Sequence, residues 1–194
     1  LERLSKGRIP YSSNSGMPEL RELISRYLDE RVNLKYDISE ILITVGASQA
    51  IDLAIRALIA PGDEVIVPEP TYVAYIPGVT FAGATAVPLV TTADTKFKIT
   101  PDALKAAITP RTKALILPFP NNPTGGIMEY EDLVPIADIL RGTDILVLAD
   151  EIYSELTYGG KRHVSIASLP GMRERTVVLN GFSKAFSMTG WRLG

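Results

Sequence analysis

The chain has 194 residues, 46% of them hydrophobic and 22% charged, the make-up of a globular chain with a full core rather than a disordered or fibrous one. Lys and Arg number 20 and Asp and Glu 22, a net charge of −2 with no charge block, which argues against a general nucleic-acid binder or an electrostatic membrane anchor. The absence of cysteine and the single histidine exclude disulfide frameworks, thiolate metal sites and His-cluster metal sites, and leave any chemistry to Lys, Tyr, Asp, Asn, Arg and Ser, alone or with an organic cofactor. No apolar run approaches the roughly 18 residues of a membrane span, and no signal peptide opens the chain, so the expected compartment is the cytoplasm.

The chain starts without Met, on charged residues that read as the end of a helix, and stops at Trp191-Arg192-Leu193-Gly194 directly after a motif-like stretch. Both ends read as cut from a longer protein. Ser15-Gly16-Met17-Pro18 leads into a helix expected from about Glu19 to Glu30. Ile41 to Val45 (ILITV) is a strand candidate, and Gln49 to Ala60 has helical spacing, with Ile51, Ala54, Ile55 and Leu58 on one face. Pro61-Gly62-Asp63 is a turn, Glu64 to Val67 the next strand, and Tyr72 to Ala82 a helix. Ala84 to Leu89 is a weaker strand; Pro101 to Ile108 is a helix with Thr100 as N-cap. Lys113 to Leu117 (KALIL), Asp144 to Ala149 (DILVLA) and Thr176 to Leu179 (TVVL) are buried strands, with a helix from Glu129 to Leu140 between the first two. Near-continuous Val/Ile/Leu strands separated by helices indicate α/β architecture, a mostly parallel sheet covered on both faces.

In open α/β sheets, ligands bind outside the carboxyl ends of the strands. Four unusual sequences follow strands: Gly46-Ala47-Ser48, Pro120-Asn121-Asn122-Pro123-Thr124-Gly125, Asp150-Glu151-Ile152-Tyr153 and Gly181-Phe182-Ser183-Lys184. If the strands are parallel, all four meet along one edge. Gly46-Ala47-Ser48 is either a tight turn with a capping Ser or an anion seat at a helix N-terminus. Asn122-Pro123-Thr124-Gly125 is either a structural turn or a rigid mount aiming the Asn122 amide into the crevice. Asp150, ending a very apolar strand, is either a cap or a charge held for a cationic partner. Tyr153 lies about one turn later if a helical turn starts at Asp150, and otherwise packs half-buried. Lys184, in a loop of small residues, is either a surface lysine or one able to form a Schiff base, with Arg192 eight residues on as a phosphate partner. Tyr72 is either core packing or an aromatic lid over a planar ring. His163, in Lys161-Arg162-His163, reads as a solvated loop residue with no role.

A lysine for an aldehyde, a carboxylate for a ring nitrogen, Tyr and Asn for a ring oxygen and a helix N-terminus for phosphate together describe a pyridoxal 5'-phosphate (PLP) site. Their order and spacing resemble the fold-type-I aminotransferases of class I/II. NGFSKAFSMTGWRLG is similar to that family's lysine signature, NNPTG to its Asn loop, ADEIYSEL to its Asp-Tyr segment, and YSSNSGMPELRE to the segment whose Tyr reaches a neighbouring subunit. The resemblance spans essentially the whole chain. It implies a three-layer αβα large domain over residues 1–194, lacking an N-terminal arm and a C-terminal small domain.

Carried over, the resemblance makes Lys184 the Schiff-base lysine and Asp150 the partner of the pyridine nitrogen. Asn122 and Tyr153 bond the ring's phenolic oxygen, and Tyr72 stacks on the ring. Ala47, Ser48 and Arg192 hold the phosphate, and Tyr11 completes the phosphate site of a partner subunit, which makes the protein a homodimer. Where many members carry a phosphate-binding Ser, this chain has Gly181, and the reach of Ser183 is open. The implied reaction is ping-pong transamination between a small amino acid and a 2-oxo acid, without nucleic acid, membrane or metal. An aspartate or aromatic donor with 2-oxoglutarate ranks first and N-acetyl-diaminopimelate next. The family's carboxylate-binding Arg lies outside these residues, so the 194 residues alone are expected to be inactive. The rival readings are a PLP-dependent β-lyase and the sensor domain of a transcription regulator.

Overall fold

In the computed structural model, residues 11–194 are described; the helix end expected at Leu1 lies outside them. The chain divides after Ile43 into two compact units.

The first unit carries α1, Pro18–Val32, close to expectation. Pro18 stands in the first turn, where a missing N–H costs nothing. Asn33 ends the helix in the left-handed conformation, donating to Asp29 O at 3.1 Å. Gly16, at φ +95°, sits where a Cβ would lie 2.3 Å from the Ile43 side chain, so only glycine fits there. The return from α1 is tied by Arg21 Nη1 donating to Ile38 O at 2.8 Å and by a capping box between Asp37 and Glu40.

The second unit is a parallel sheet of five strands: β1 (Glu64–Glu69), β2 (Thr85–Val90), β3 (Thr112–Leu117), β4 (Leu146–Asp150) and β5 (Thr176–Leu179). Their spatial order is β2-β1-β3-β4-β5. Between them run α2 (Gly46–Leu58, before β1), α3 (Tyr75–Phe81), α4 (Pro101–Ala107) and α5 (Tyr130–Arg141). The period of two along each strand divides the core. Val65, Val67, Ala114, Ile116 and Leu148 pack with Ile51 and Ile55 of α2 and Val79 of α3. Ile66, Leu115, Leu117, Val147 and Ala149 pack with Leu104 of α4 and Leu133, Ile136 and Leu140 of α5. Both faces are thus covered, as the unbroken apolar strands require.

The chirality of crossovers decides which helix lies where. From β1 the chain steps outward to β2, then back past β1 to β3 and onward. A right-handed connection puts the helix on one face for the outward step and on the other for the return steps. α3 accordingly lies on the first face, and α4 and α5 on the second. The direction reverses between β1 and β3, and the crevice beyond their carboxyl ends is where such a sheet opens to a ligand.

Two expectations need correction. Residues 41–45 form no strand. The segment is extended, and at Thr44 it exchanges two hydrogen bonds with Gly194, at 2.8 and 3.0 Å. One residue pair is too short a ladder for a strand, whatever the β-propensity of ILITV. The helix expected from Tyr72 starts only at Tyr75, because Pro77 has no N–H to bond the carbonyl of Val73. Tyr72 is thereby released from the helix. Thr100 does cap α4, accepting from Ala103 N–H at 3.3 Å.

Among the described residues no helix is long and apolar enough to cross a membrane. Ile136, fully buried on α5, tests the packing of the second face. Ile136→Ala is expected to lower unfolding stability by about 2–5 kcal/mol, measured by denaturant titration.

Candidate functional site

Beyond the carboxyl ends of the strands lies a cavity of about 300 Å³, at the small end of ligand pockets, which run from about 300 to 1,000 Å³. Its wall brings together Ala47, Ser48, Tyr72, Asn122, Asp150, Tyr153, Lys184 and Arg192, all singled out from the sequence, with Tyr75, Ser183 and Thr189 added. Tyr11, the remaining candidate, is fully exposed in the first unit.

Asp150 is the most constrained member, 4% exposed at the last position of β4. Oδ1 accepts from the Ile152 amide at 3.1 Å and Oδ2 from the Tyr75 hydroxyl at 2.7 Å. Burial pushes its pKa up. The bonds from Tyr75 and Ile152 oppose that rise, and the neighbouring Glu151 adds to it. Two neutral donors therefore leave the carboxylate under-compensated, and a cation at the cavity would complete it. Tyr75 is itself buried, and burial first, then the charge of Asp150, raises its pKa, so it stays a donor. Sequence reading missed Tyr75. Its signal was local: it stands three residues after Tyr72, and the two rings meet edge-on at 5.6 Å.

The anion end is built from α2. Val45 is its N-cap and no side chain caps it; the Gly46 amide donates to Thr44 O at 2.9 Å, which leaves the Ala47 and Ser48 amides for a ligand. Ser48 lies inside the first turn and is not the cap that the sequence allowed for, because the helix already begins at Gly46. Gly46 has φ +74°, and a Cβ there would lie 2.5 Å from Arg192 Nη2. The guanidinium thus lies against the helix start. It is held by Arg192 Nη1 donating to Thr189 O at 3.0 Å. Gly181 also acquires a reason: a Cβ there would meet Leu193 O at 3.0 Å and Ile152 Cδ1 at 3.2 Å. A serine at 181 would press on the returning backbone, which would have to give by a few tenths of an ångström, while Ser183 does line the cavity.

Lys184 is exposed at the mouth, and Nζ lies 5.6 Å from the centroid of the Tyr153 ring. Among the described residues it has no carboxylate partner. Tyr153 rides on a non-helical turn tied by Ser154 N–H to Glu151 O at 2.9 Å and Leu156 N–H to Tyr153 O at 2.8 Å. Asn122 sits in a tight turn where Gly125 N–H bonds Asn121 O at 2.8 Å and Gly125 takes φ +69°. His163 is not solvated: its side chain is 9% exposed and Nε2 lies 3.0 Å from Oε2 of the buried Glu151. A contact across twelve residues of loop leaves no local pattern in a sequence. Among the described residues no group of three or more acidic, His or Cys side chains could hold a metal.

The donor set suits PLP: an amine for its aldehyde, an under-compensated buried carboxylate for its ring nitrogen, and free helix amides plus a guanidinium for its phosphate. The same carboxylate must cost folding energy. Its folded pKa lies above the ordinary 3.8, so its destabilisation is absent at lower pH and grows as pH rises through that value toward the folded pKa. In the cofactor-free protein, Asp150→Asn is expected to raise Tm at neutral pH, with the gain vanishing below the ordinary aspartate pKa. Thermal melts across pH check this; equal Tm values at neutral pH would contradict it.

Comparison with known proteins agrees with this geometry. The model of the family "Aminotransferase class I and II" matches residues 2–194. YugH of Bacillus subtilis, named as an aminotransferase, is 54% identical over 98% of this chain and 50% of its own length. A second B. subtilis protein, named as an N-acetyl-LL-diaminopimelate aminotransferase, is 48% identical over 95% of this chain and 46% of its own. An aspartate aminotransferase of Pyrococcus abyssi is 44% identical over 100% and 50%. Among solved structures, an aromatic aminotransferase from Pyrococcus horikoshii superposes with TM-score 0.96 at 43% identity, covering 100% of this chain and 52% of that one. The chain thus spans about half the length of the relatives it matches. It belongs to the class I and II aminotransferases.

Proposed function

We propose that this chain is the cofactor-binding portion of a PLP-dependent aminotransferase that moves an amino group from an L-amino acid to a 2-oxo acid. The observation that carries the reading is the buried, under-compensated Asp150 in one cavity with Lys184 and with the uncapped start of α2 beside Arg192. PLP bound there would supply an aldehyde for the donor amine and a ring that draws electron density from the substrate α-carbon.

The residues divide the work as follows. The Ala47 and Ser48 amides and the Arg192 guanidinium hold the phosphate. Tyr72 would cover the ring, while Asn122 and Tyr153 would donate to its phenolic oxygen. Asp150, steadied by Tyr75, keeps a proton on the ring nitrogen and so stabilises the charge that develops during proton transfer. Lys184 Nζ would hold the cofactor's aldehyde. As a free amine it would take the proton from the substrate α-carbon as general base and deliver it, as acid, to the cofactor's aldehyde-derived carbon. An amine exposed at the mouth, with no competing carboxylate among the described residues, suits both tasks. Tyr11 would reach the phosphate of a second subunit in a homodimer.

Aspartate or an aromatic amino acid, with 2-oxoglutarate as acceptor, is the leading substrate pair, and N-acetyl-diaminopimelate follows. The names of the related enzymes support all three. Candidate donors added singly to the full-length gene product with PLP discriminate them by the visible absorption of the bound cofactor. The correct donor is expected to bleach the band and a 2-oxo acid to restore it. If no donor bleaches the band, transamination is wrong. Lys184→Ala is expected to abolish turnover, and full activity in that variant would exclude its assigned role.

A further inference from the structure

The acid next to Asp150 has no part in that chemistry, yet Glu151 is 3% exposed. Asp150 reaches the face of α2 and α3 through Tyr75. Glu151, one residue on, reaches the opposite face, where Ser165 and Ile166 pack. Its amide donates to Leu179 O at 2.8 Å and lengthens the β4–β5 ladder by one residue. Its carbonyl accepts from Ser154 and so closes the turn that carries Tyr153. Its carboxylate takes the Ser165 hydroxyl at 2.6 Å on Oε1, and His163 Nε2 lies against Oε2 at 3.0 Å without hydrogen-bond geometry. The chain that leaves the sheet at Glu151 therefore comes back to that same side chain. Among the described residues the segment is also tied by Asn180 Nδ2 donating to Ser154 Oγ at 3.2 Å, and by Lys161 to Glu129, half exposed and so weak. A buried acid is costly, and an apolar side chain would fill the space at less cost. What the acid adds is directional bonding.

We propose that Glu151 is a positioning residue: hydrogen-bonded to Ser165 and packed against His163, it clamps the Ile152–Glu155 turn and thereby sets the Tyr153 hydroxyl against the cofactor's phenolic oxygen. This rests on the role proposed above for Tyr153.

The first test needs no cofactor. Hydrogen exchange at the Ser154 and Leu156 amides is expected to quicken about tenfold or more in Glu151→Leu, the mark of a locally opened turn. Glu151→Gln should stay near the parent rate, because its amide oxygen can still accept from Ser165. Parent-like exchange in Glu151→Leu overturns the proposal. So does a Glu151→Gln variant as fast as Glu151→Leu, which would make charge rather than bonding the agent. If Glu151→Leu does not fold, Ser165→Ala, which removes the hydroxyl that Glu151 accepts from, carries the same expectation.

The second test uses the full-length gene product with PLP. Losing a donor to the phenolic oxygen favours the protonated cofactor, so the pH at which the visible band changes should move up in Glu151→Leu. In a Tyr153→Phe background the same substitution should add nothing. A shift that persists undiminished in that background overturns the proposal. A parent that binds no PLP defeats the cofactor reading instead, and leaves the exchange result standing.

Discussion

A carboxylate at the end of a buried strand must find a partner, and in this chain two strands carry one at opposite ends. At the amino end of β1, Glu64 is 5% exposed and fully compensated. Thr109 donates to Oε2 at 2.5 Å and Arg111 Nε to Oε1 at 2.9 Å, and these bonds, the threonine's first, lower its pKa. At the carboxyl end of β4, Asp150 receives only a phenol and an amide, and its pKa is raised. The first acid ties the α4–β3 connection to the sheet. The second has only neutral donors among the described residues. This imbalance distinguishes the two ends of the sheet.

The sheet makes that imbalance useful. Because every strand is parallel, the segments leaving β1, β3, β4 and β5 all emerge at one edge. Because strand order reverses between β1 and β3, the crossover helices part to opposite faces and leave a crevice there. Gly46 and Gly181 then let backbone and guanidinium come close enough to shape its floor. Where either carried a side chain, Arg192 or the Leu193–Gly194 backbone would be pushed away.

Much of the candidate site was legible in the sequence because its chemistry is local. A run such as DILVLAD states both a buried strand and an acid that needs an explanation, and GASQAIDLAI states a helix with a small-residue start. The residues that escaped notice act across distance or through exclusion. Tyr75 lay unremarked within the helix expected from Tyr72 to Ala82, and its bond to Asp150 spans 75 residues of chain. His163 looked solvated because its partner lies twelve residues away. The supposed strand at Ile41–Val45 failed because propensity cannot say whether a partner strand is there to complete a ladder.

The sequence by itself determined the alternation of strands and helices, the double covering of the sheet and the cluster of unusual residues after the strands. These follow from hydrophobic periodicity and turn chemistry, which act between near neighbours. Only the tertiary structure decided that Tyr75 steadies Asp150, that a side chain at Gly181 would press on the Leu193–Gly194 backbone, and that Glu151 faces away from the cavity with His163 and Ser165. Those depend on which atoms meet once distant segments pack, and on how much water is left between them to pay the cost of a buried charge.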